Sequence, residues 1–248
     1  MVSQMSKYPP LGDMVASASI LKQALELGRT AACSPGAATV DVDRVVRKFI
    51  ESCGARPVFL GHDGFPAAIC ISINDQVVHC VPSSRTISVG DLISIDCGVE
   101  YNGAITDACR SFFVGKPPSL RAKRLVDTAY SALTAATLAA QPGARIGDLS
   151  FAVQLIVEPA GFTVSREFVG HAVGKELHQP PWIPNYGRKG TGALLKPGMF
   201  LAIEPVIFDG DWRTKAQGEW DIVSLDGCLS AHVENTVYIS HGGPVVLT

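Results

Sequence analysis

A chain of 248 residues, 47% hydrophobic with a formal charge of −2, has the size and apolar content for one large core or two fused halves. Near-neutral charge without a basic run removes the electrostatic basis for binding nucleic acid or an anionic membrane surface. Seven cysteines, odd in number and without CxxC spacing, read as reduced thiols rather than as a disulfide framework or a zinc site.

The opening MVSQMSKYPPLGDM lacks the charged-then-apolar pattern of a secretory leader. No apolar run approaches the roughly 18 residues that cross a bilayer. The expectation is a cytoplasmic protein without membrane contact; residues 1–12 carry no readable role. Helical spacing begins over 20–31. After Pro35-Gly36, Val42, Val46, Phe49 and Ile50 recur at helical intervals as far as Gly54. CISINDQVVHCVP (70–82) reads as an apolar strand ending in a turn, with His79 near its end.

DCGVEYNGAITDAC (96–109) follows, and Asn102-Gly103 is the strongest short signal for a two-residue hairpin turn. If it is the turn, Tyr101 faces Ala104 and Gly98 faces Asp107. Alternation along the strand then puts Asp96 on the face of Asp107, as a diagonal neighbour roughly 7–8 Å away at the backbone. Two carboxylates on one face of an apolar hairpin repel each other and desolvate badly unless a cation lies between them. From the hairpin alone, a solvent-facing polar stripe remains the alternative.

The second half repeats the first. A helical stretch at 125–140 leads to Pro142-Gly143, and Leu149, Val153, Ile156 and Val157 repeat the earlier apolar spacing up to Gly161; both glycine-to-glycine segments run 18 residues. GHAVGKELHQPP (170–181) carries His171 and His178 between glycines that disfavour a long helix. The strand PGMFLAIE (197–204) aligns with VGDLISID (89–96), matching Glu204 to Asp96. ENTVYISHG (234–242) aligns with DACRSFFVG (107–115), matching Glu234 to Asp107 after about 19 extra residues, which fall in a polar hairpin or loop at 209–230. The fold expectation is α+β: two pseudo-symmetric halves, approximately 13–116 and 117–248, with a curved antiparallel sheet, outer helices and a polar inner face. Four carboxylates meeting there would be neutralised by two divalent cations. Of six histidines, His79, His171 and His178 sit where they can complete such a site. His62 lies in a loop, and His232 and His241 have no distinctive setting.

Five strings carry a resemblance: CISIN…VVH…VP (70–82), GDLISIDCGVEYNGAITDACRSFFVG (90–115), VGHAVGKELHQPP (169–181), LKPGMFLAIEP (195–205) and LSAHVENTVYIS (229–240). Together they resemble the type I methionine aminopeptidases of the short bacterial form, metallopeptidases of the pita-bread fold, over about residues 25–248. The resemblance implies a single metallopeptidase domain that removes the initiator methionine from nascent chains by hydroxide attack at a dinuclear metal site. It implies Asp96, Asp107, His171, Glu204 and Glu234 as metal ligands. It makes Glu204 the proton shuttle, His178 the oxyanion donor and His79 the partner of the scissile amide. Oxygen and imidazole ligands without thiolate favour manganese, iron(II) or cobalt, with zinc admissible.

The matching substrate pocket is Phe59, His62, Phe65, Cys70, Leu177 and Trp220. Many bacterial relatives have cysteine at the first of these, tyrosines at the next two and phenylalanine at the fifth. Cys80 stands where a glycine is common, and Asn235 where a histidine is common. The expected partner is the N-terminal peptide of a nascent protein, met in transient proximity to the ribosome by a monomeric enzyme, with no nucleic acid bound. Two rivals are a related X-Pro dipeptidase, whose extra amino-terminal domain the roughly 30 residues before the first repeat helix would not accommodate, and a binding module that kept the fold and lost the metals.

Overall fold

The computed structural model describes residues 8–248; residues 1–7, within the 1–12 segment to which the sequence gives no role, lie outside the described residues. The first half opens with helices α1 (Leu11–Ala32) and α2 (Thr39–Ser52). Strands β1 (Arg56–Pro57), β2 (Cys70–Ile73), β3 (Gln76–Val78), β4 (Leu92–Tyr101) and β5 (Ala104–Phe113) follow. The second half opens with helices α3 (Leu120–Ala139) and α4 (Ile146–Val157). It continues through β6 (Thr163–Val164), β7 (Val169–Ala172), β8 (Gln179–Pro184), β9 (Phe200–Ile203) and β10 (Val206–Phe208). The chain closes with β11 (Thr214–Gln217), β12 (Asp221–Ser224), β13 (Ser230–His232), β14 (Asn235–Ser240) and β15 (Gly243–Val246). Helix pair followed by antiparallel strands, twice, is the α+β arrangement that the internal repeat predicts. The strands form four antiparallel groups: β1-β4-β2 with β5 beside β4, β13-β10-β6, β11-β12-β3, and β15-β14-β9-β7-β8.

The hairpin has the register its turn dictates. Asn102 and Gly103 take φ of 51° and 75°, the left-handed pair that this turn requires. Tyr101 pairs with Ala104 and Gly98 with Asp107. Elsewhere the sequence reading needs adjustment. Helix α1 starts at Leu11, nine residues before the spacing predicts, because its buried stripe runs through small and polar residues. Ser17 and Ala18 are fully buried beside Met14 and Leu21, and the Ser17 hydroxyl donates to the Val99 carbonyl at 2.8 Å. The single strand expected at 70–82 is two strands, β2 paired with β4 and β3 paired with β12, broken by Asn74 at φ 61°.

Each half has its own apolar core. In the first, Leu21, Leu25, Val42, Val46 and Ile50 of the helices pack on Ile71, Ile93 and Ile95. In the second, Leu125, Leu133, Leu149 and Val153 pack on Leu201, Ile203, Val237 and Ile239. A third cluster, including Met14, Phe59, Phe65, Leu177 and Phe200, draws on both halves. The polar insertion at 209–230 forms the β11–β12 hairpin, and β12 pairs with β3 of the first half.

Hydrogen bonds join the halves where the acidic residues lie. The Thr236 hydroxyl accepts from the Asp107 N–H at 2.9 Å and donates to the Asp107 carbonyl at 2.8 Å. The Glu234 N–H donates to the Cys109 carbonyl at 3.0 Å. Replacing Thr236 by valine keeps the shape and strands both Asp107 backbone groups in the interior. The expected cost is about 1–3 kcal/mol in a urea unfolding curve with unchanged slope; an unchanged midpoint would show that this seam bears no load.

Candidate metal centre and cleft

A cleft of about 320 Å³ opens between the halves. Every site residue predicted from the sequence lines it: Asp96, Asp107, His171, Glu204 and Glu234, with His79 and His178, and Phe59, His62, Phe65, Cys70, Leu177 and Trp220. Each acidic side chain arrives by a short local device. Asp96 and Asp107 stand on adjacent strands of the hairpin, Glu204 follows β9 directly, and Glu234 sits between β13 and β14. His171 comes from β7, paired with Ala202 of β9.

Burial makes this arrangement costly. Asp107, Glu234 and His171 are 3%, 2% and 3% exposed. Asp107 Oδ1, Asp96 Oδ1 and Glu234 Oε1 have no hydrogen-bond donor. The nearby Arg110 guanidinium is spent on carbonyls, donating to Cys109 at 2.9 Å and Glu234 at 2.5 Å. Burial, reinforced by the other carboxylates, therefore holds Asp107 and Glu234 well above the usual carboxylate range. Burial likewise raises Asp96 to about 7 against the opposing pull of His232. Buried acceptors with no donor fit a bound divalent cation.

The nitrogen donors fit as well. His171 Nδ1 lies 3.2 Å from the Ala172 carbonyl; a carbonyl only accepts, so Nδ1 carries the proton and Nε2 keeps its lone pair. That Nε2 lies 3.9 Å from Asp107 Oδ2 and 4.0 Å from Glu204 Oε1. Among the described residues, two groups of donor atoms converge within 4.8 Å: Asp107, His171 and His178, and Asp96, His232 and Glu234. Glu204 touches both groups, since its Oε2 is 3.0 Å from His232 Nε2. Cys70 shares the cleft as a buried thiol pushed well up by burial, and among the described residues it is in neither group of converging donors. The donor set is thus oxygen and imidazole, suited to hard and borderline ions.

His232 is the residue that sequence reasoning passed over. Its one local mark is its place two residues before Glu234, and a lone histidine in such a stretch reads as packing. Burial opposes charge on His232, but contact with Glu204 and the field of Asp96 outweigh it and raise its pKa.

Around this centre stand rings and imidazoles. The His178 ring is 4.6 Å from that of His171 and 5.3 Å from that of His62. Burial, with His171 adding to it, lowers His178 to about 4 and keeps it neutral at physiological pH. His79 leaves β3 at φ 58°, a left-handed conformation uncommon outside glycine and enriched at functional positions. Cys80, where a glycine was expected, is fully buried, and its thiol points to the Val78 carbonyl at 3.4 Å. Trp220 sits at the tip of the β11–β12 hairpin and meets Phe65 edge-on at 5.3 Å. Phe59 and Leu177 are neighbours across Gly98: a Cβ there would lie 2.9 Å from the Phe59 ring and 3.4 Å from Leu177 Cδ1. The large side chain at 59 and the small one at 177 thus meet over the same glycine.

Comparisons with known proteins agree with this geometry. A family model described as metallopeptidase family M24 matches residues 12–241. The chain is 44% identical over 219 residues to a methionine aminopeptidase of Clostridium acetobutylicum, covering 88% of this chain and 87% of that protein. It is 41% identical to methionine aminopeptidase 1 of Bacillus subtilis, covering 86% of each. Its fold superposes on the crystal structure of a methionine aminopeptidase from Thermotoga maritima with a TM-score of 0.94 at 37% identity, covering 98% and 99% of the two chains. A prolidase from Pyrococcus furiosus shares the fold at a TM-score of 0.77 and 23% identity, with 96% of this chain covering 63% of that one.

The buried carboxylates set a pH dependence for protein stripped of metal by a chelator. Groups raised in the folded state, Asp96, Asp107 and Glu234, contribute stability that is full below their unfolded values near pH 4 and lost as pH rises through their folded values. The lowered histidines, His79, His171 and His178, act the other way, but only below their unfolded value of about 6.5. Between about pH 6.5 and 8 the carboxylates act together with His232, whose raised pKa gives it the same sign there. The melting temperature of chelator-treated protein should therefore fall across that interval; a flat or rising curve would contradict the charge assignment.

Proposed function

The chain belongs to metallopeptidase family M24, and on that premise we propose that it is an aminopeptidase that removes the N-terminal, initiator methionine from newly made chains. The observation that carries this reading is a buried cluster of carboxylates without donors at the end of an apolar, aromatic-walled cleft. In this reading residues 1–248 work as one metallopeptidase domain of two halves, approximately 13–116 and 117–248. Asp96, Asp107, His171, Glu204 and Glu234 would hold two divalent ions, with manganese, iron(II) or cobalt favoured by the donor set. When bound, such ions supply Lewis-acid polarisation of a carbonyl and lower the pKa of water.

The chain's own residues do the rest. Glu204, less enclosed than Asp107 and Glu234, takes the proton of the attacking water and returns it to the departing amine. His178, neutral at physiological pH, donates to the oxygen that becomes negative as the carbonyl is attacked. His79, aimed by its left-handed backbone, hydrogen-bonds the scissile amide. Phe59, Phe65, Cys70, Leu177 and Trp220 surround the first side chain, with His62 at the mouth. Methionine is long, unbranched and polarizable, which suits such walls. The likeness to prolidase supports the fold alone, so an X-Pro activity has no separate support. Orphaned carboxylate oxygens disfavour a binding module without metal. We place the enzyme in the cytoplasm as a monomer that meets its substrates near the ribosome; no described helix is long and apolar enough to cross a membrane.

Three variants separate the roles. Asp107→Asn should lower metal content and turnover together, since a neutral amide is a weaker ligand for a divalent cation than a carboxylate. His171→Ala should lose metal measured by elemental analysis. His178→Ala should keep its metal and lose about 10²-fold in kcat. Metal loss in His178→Ala with retention in His171→Ala would reverse the assignment.

The pocket makes its own prediction. Phe59 and Leu177 exchange bulk across Gly98 without conserving shape, and one methylene of misfit is worth about 1–3 kcal/mol in discrimination. In kcat/KM measured on tripeptides differing only in residue one, methionine should lead, with norleucine or leucine rejected less strongly than a tighter pocket would manage. A preference for leucine, or for cleavage beside proline, would refute the methionine reading and leave the metallopeptidase reading standing.

A further inference from the structure

His232 ends β13 at the inner end of the cleft and is 3% exposed. Its backbone is fixed from the other half of the molecule. The His232 N–H donates to the Ser111 hydroxyl oxygen at 3.1 Å, and the His232 carbonyl accepts from the Ser111 hydroxyl at 2.6 Å and from the Cys109 thiol at 3.2 Å. Ser94 Oγ lies 2.7 Å from Ser111 Oγ. The one Ser111 proton goes to the carbonyl, so Ser94 is the donor in that pair. Strands β4 and β5 thereby set where the β13 main chain lies and where its imidazole reaches.

The imidazole reaches Glu204. His232 Nε2 is 3.0 Å from Glu204 Oε2, within ion-pair distance but outside hydrogen-bond geometry, and it has no hydrogen-bond partner. The other oxygen, Glu204 Oε1, faces His171 Nε2 at 4.0 Å. The carboxylate therefore turns one oxygen to each of two imidazoles.

We propose that His232 is a positioning residue: its Nε2–H donates to Glu204 Oε2 and fixes the carboxylate, so that Oε1 is presented to the divalent ion and to the proton of the attacking water. The inference rests on the metallopeptidase reading above. A carboxylate held by one ion through one oxygen still rotates about its last side-chain bond, and a donor on the second oxygen stops that rotation. Partners of this kind are worth about 10–100-fold in metal affinity or activity. The competing role is direct ligation, since His232, Asp96 and Glu234 offer donor atoms within 4.8 Å of one another. The contact favours the donor role. Glu204 Oε2 at 3.0 Å is an acceptor that a small turn of the ring brings into line with Nε2–H, and a nitrogen that carries its proton toward that oxygen has no lone pair for an ion.

His232→Gln keeps a donor amide of similar reach and is a poor ligand; His232→Leu keeps volume and removes the donor. The readouts are the Mn²⁺ dissociation constant of chelator-stripped protein by calorimetry, and kcat and KM on Met-Ala-Ser measured separately. His232→Leu should weaken Mn²⁺ binding about 10–100-fold and lower kcat with KM nearly unchanged, while His232→Gln restores both to within a few-fold of the parent. A His232→Gln variant that loses Mn²⁺ as badly as His232→Leu would overturn the donor role. So would a His232→Leu variant that keeps both affinity and kcat. X-ray absorption on the unsubstituted, Co²⁺-loaded chain needs no variant to fold. One coordinated imidazole per chain, from His171, supports the proposal; a second that persists in His178→Ala and disappears in His232→Gln would make His232 a ligand and overturn it. A parent chain that binds no Mn²⁺ would bring down the metallopeptidase reading, and this inference with it.

Discussion

The organising constraint is the repulsion and desolvation of carboxylates packed together without donors. Asp107 and Glu234 are almost wholly buried, and an oxygen of each, like one of Asp96, lacks any hydrogen-bond partner. Folding alone does not favour such an arrangement: an unpaired buried carboxylate takes up a proton before it accepts ionisation in a low dielectric. Arg110, whose charge reaches Glu234, gives its hydrogen bonds to carbonyl oxygens instead. The cluster makes chemical sense around divalent cations, and the architecture around it consists of means for holding it in place.

Those means come in pairs because the chain repeats. Each half places one acidic residue on or at the end of a strand, Asp96 on β4 and Glu204 after β9, and a second on or beside the partner strand, Asp107 on β5 and Glu234 before β14. The helix pairs bury the outer faces of these strands in separate cores, so the inner faces are free to carry polar groups. The seam is then locked by backbone contacts rather than by the carboxylates themselves: Thr236 on both polar groups of Asp107, the Cys109 carbonyl on Glu234, and Ser111 on His232. This division leaves the carboxylate oxygens available for ligands. It also lets the walls vary, as at Phe59 and Leu177, without disturbing the metal centre.

Much of this was legible in the sequence, for identifiable reasons. Asn102-Gly103 admits one turn type, and the turn fixes register, so the shared face of Asp96 and Asp107 followed from a dipeptide. Glycine-to-glycine spacing and apolar periodicity exposed the two halves, and with them the correspondence of Glu204 and Glu234 to the aspartates. Other features depend on tertiary contact and leave weak local marks. The first turns of α1 bury Ser17 and Ala18, which carry no apolar signal. The break at Asn74 divides what reads as one strand. That the polar segment at 209–230 pairs with β3 and carries Trp220 to Phe65 is a long-range event with no periodicity of its own. His232 was missed because its role depends on the distance to Glu204 across β10 and β13, which no local pattern encodes.

The central claim is that the buried carboxylates hold protons until a divalent ion displaces them. Metal binding should then release protons, because the ion takes the deprotonated form. The direct measurement is calorimetric titration of Mn²⁺ into chelator-stripped protein at pH 6.5, repeated in buffers of different ionisation enthalpy. With Asp96 raised to about 7 and Asp107 and Glu234 also raised, the account predicts a net release of at least about one proton per chain. Binding at the same stoichiometry with no proton release would contradict it.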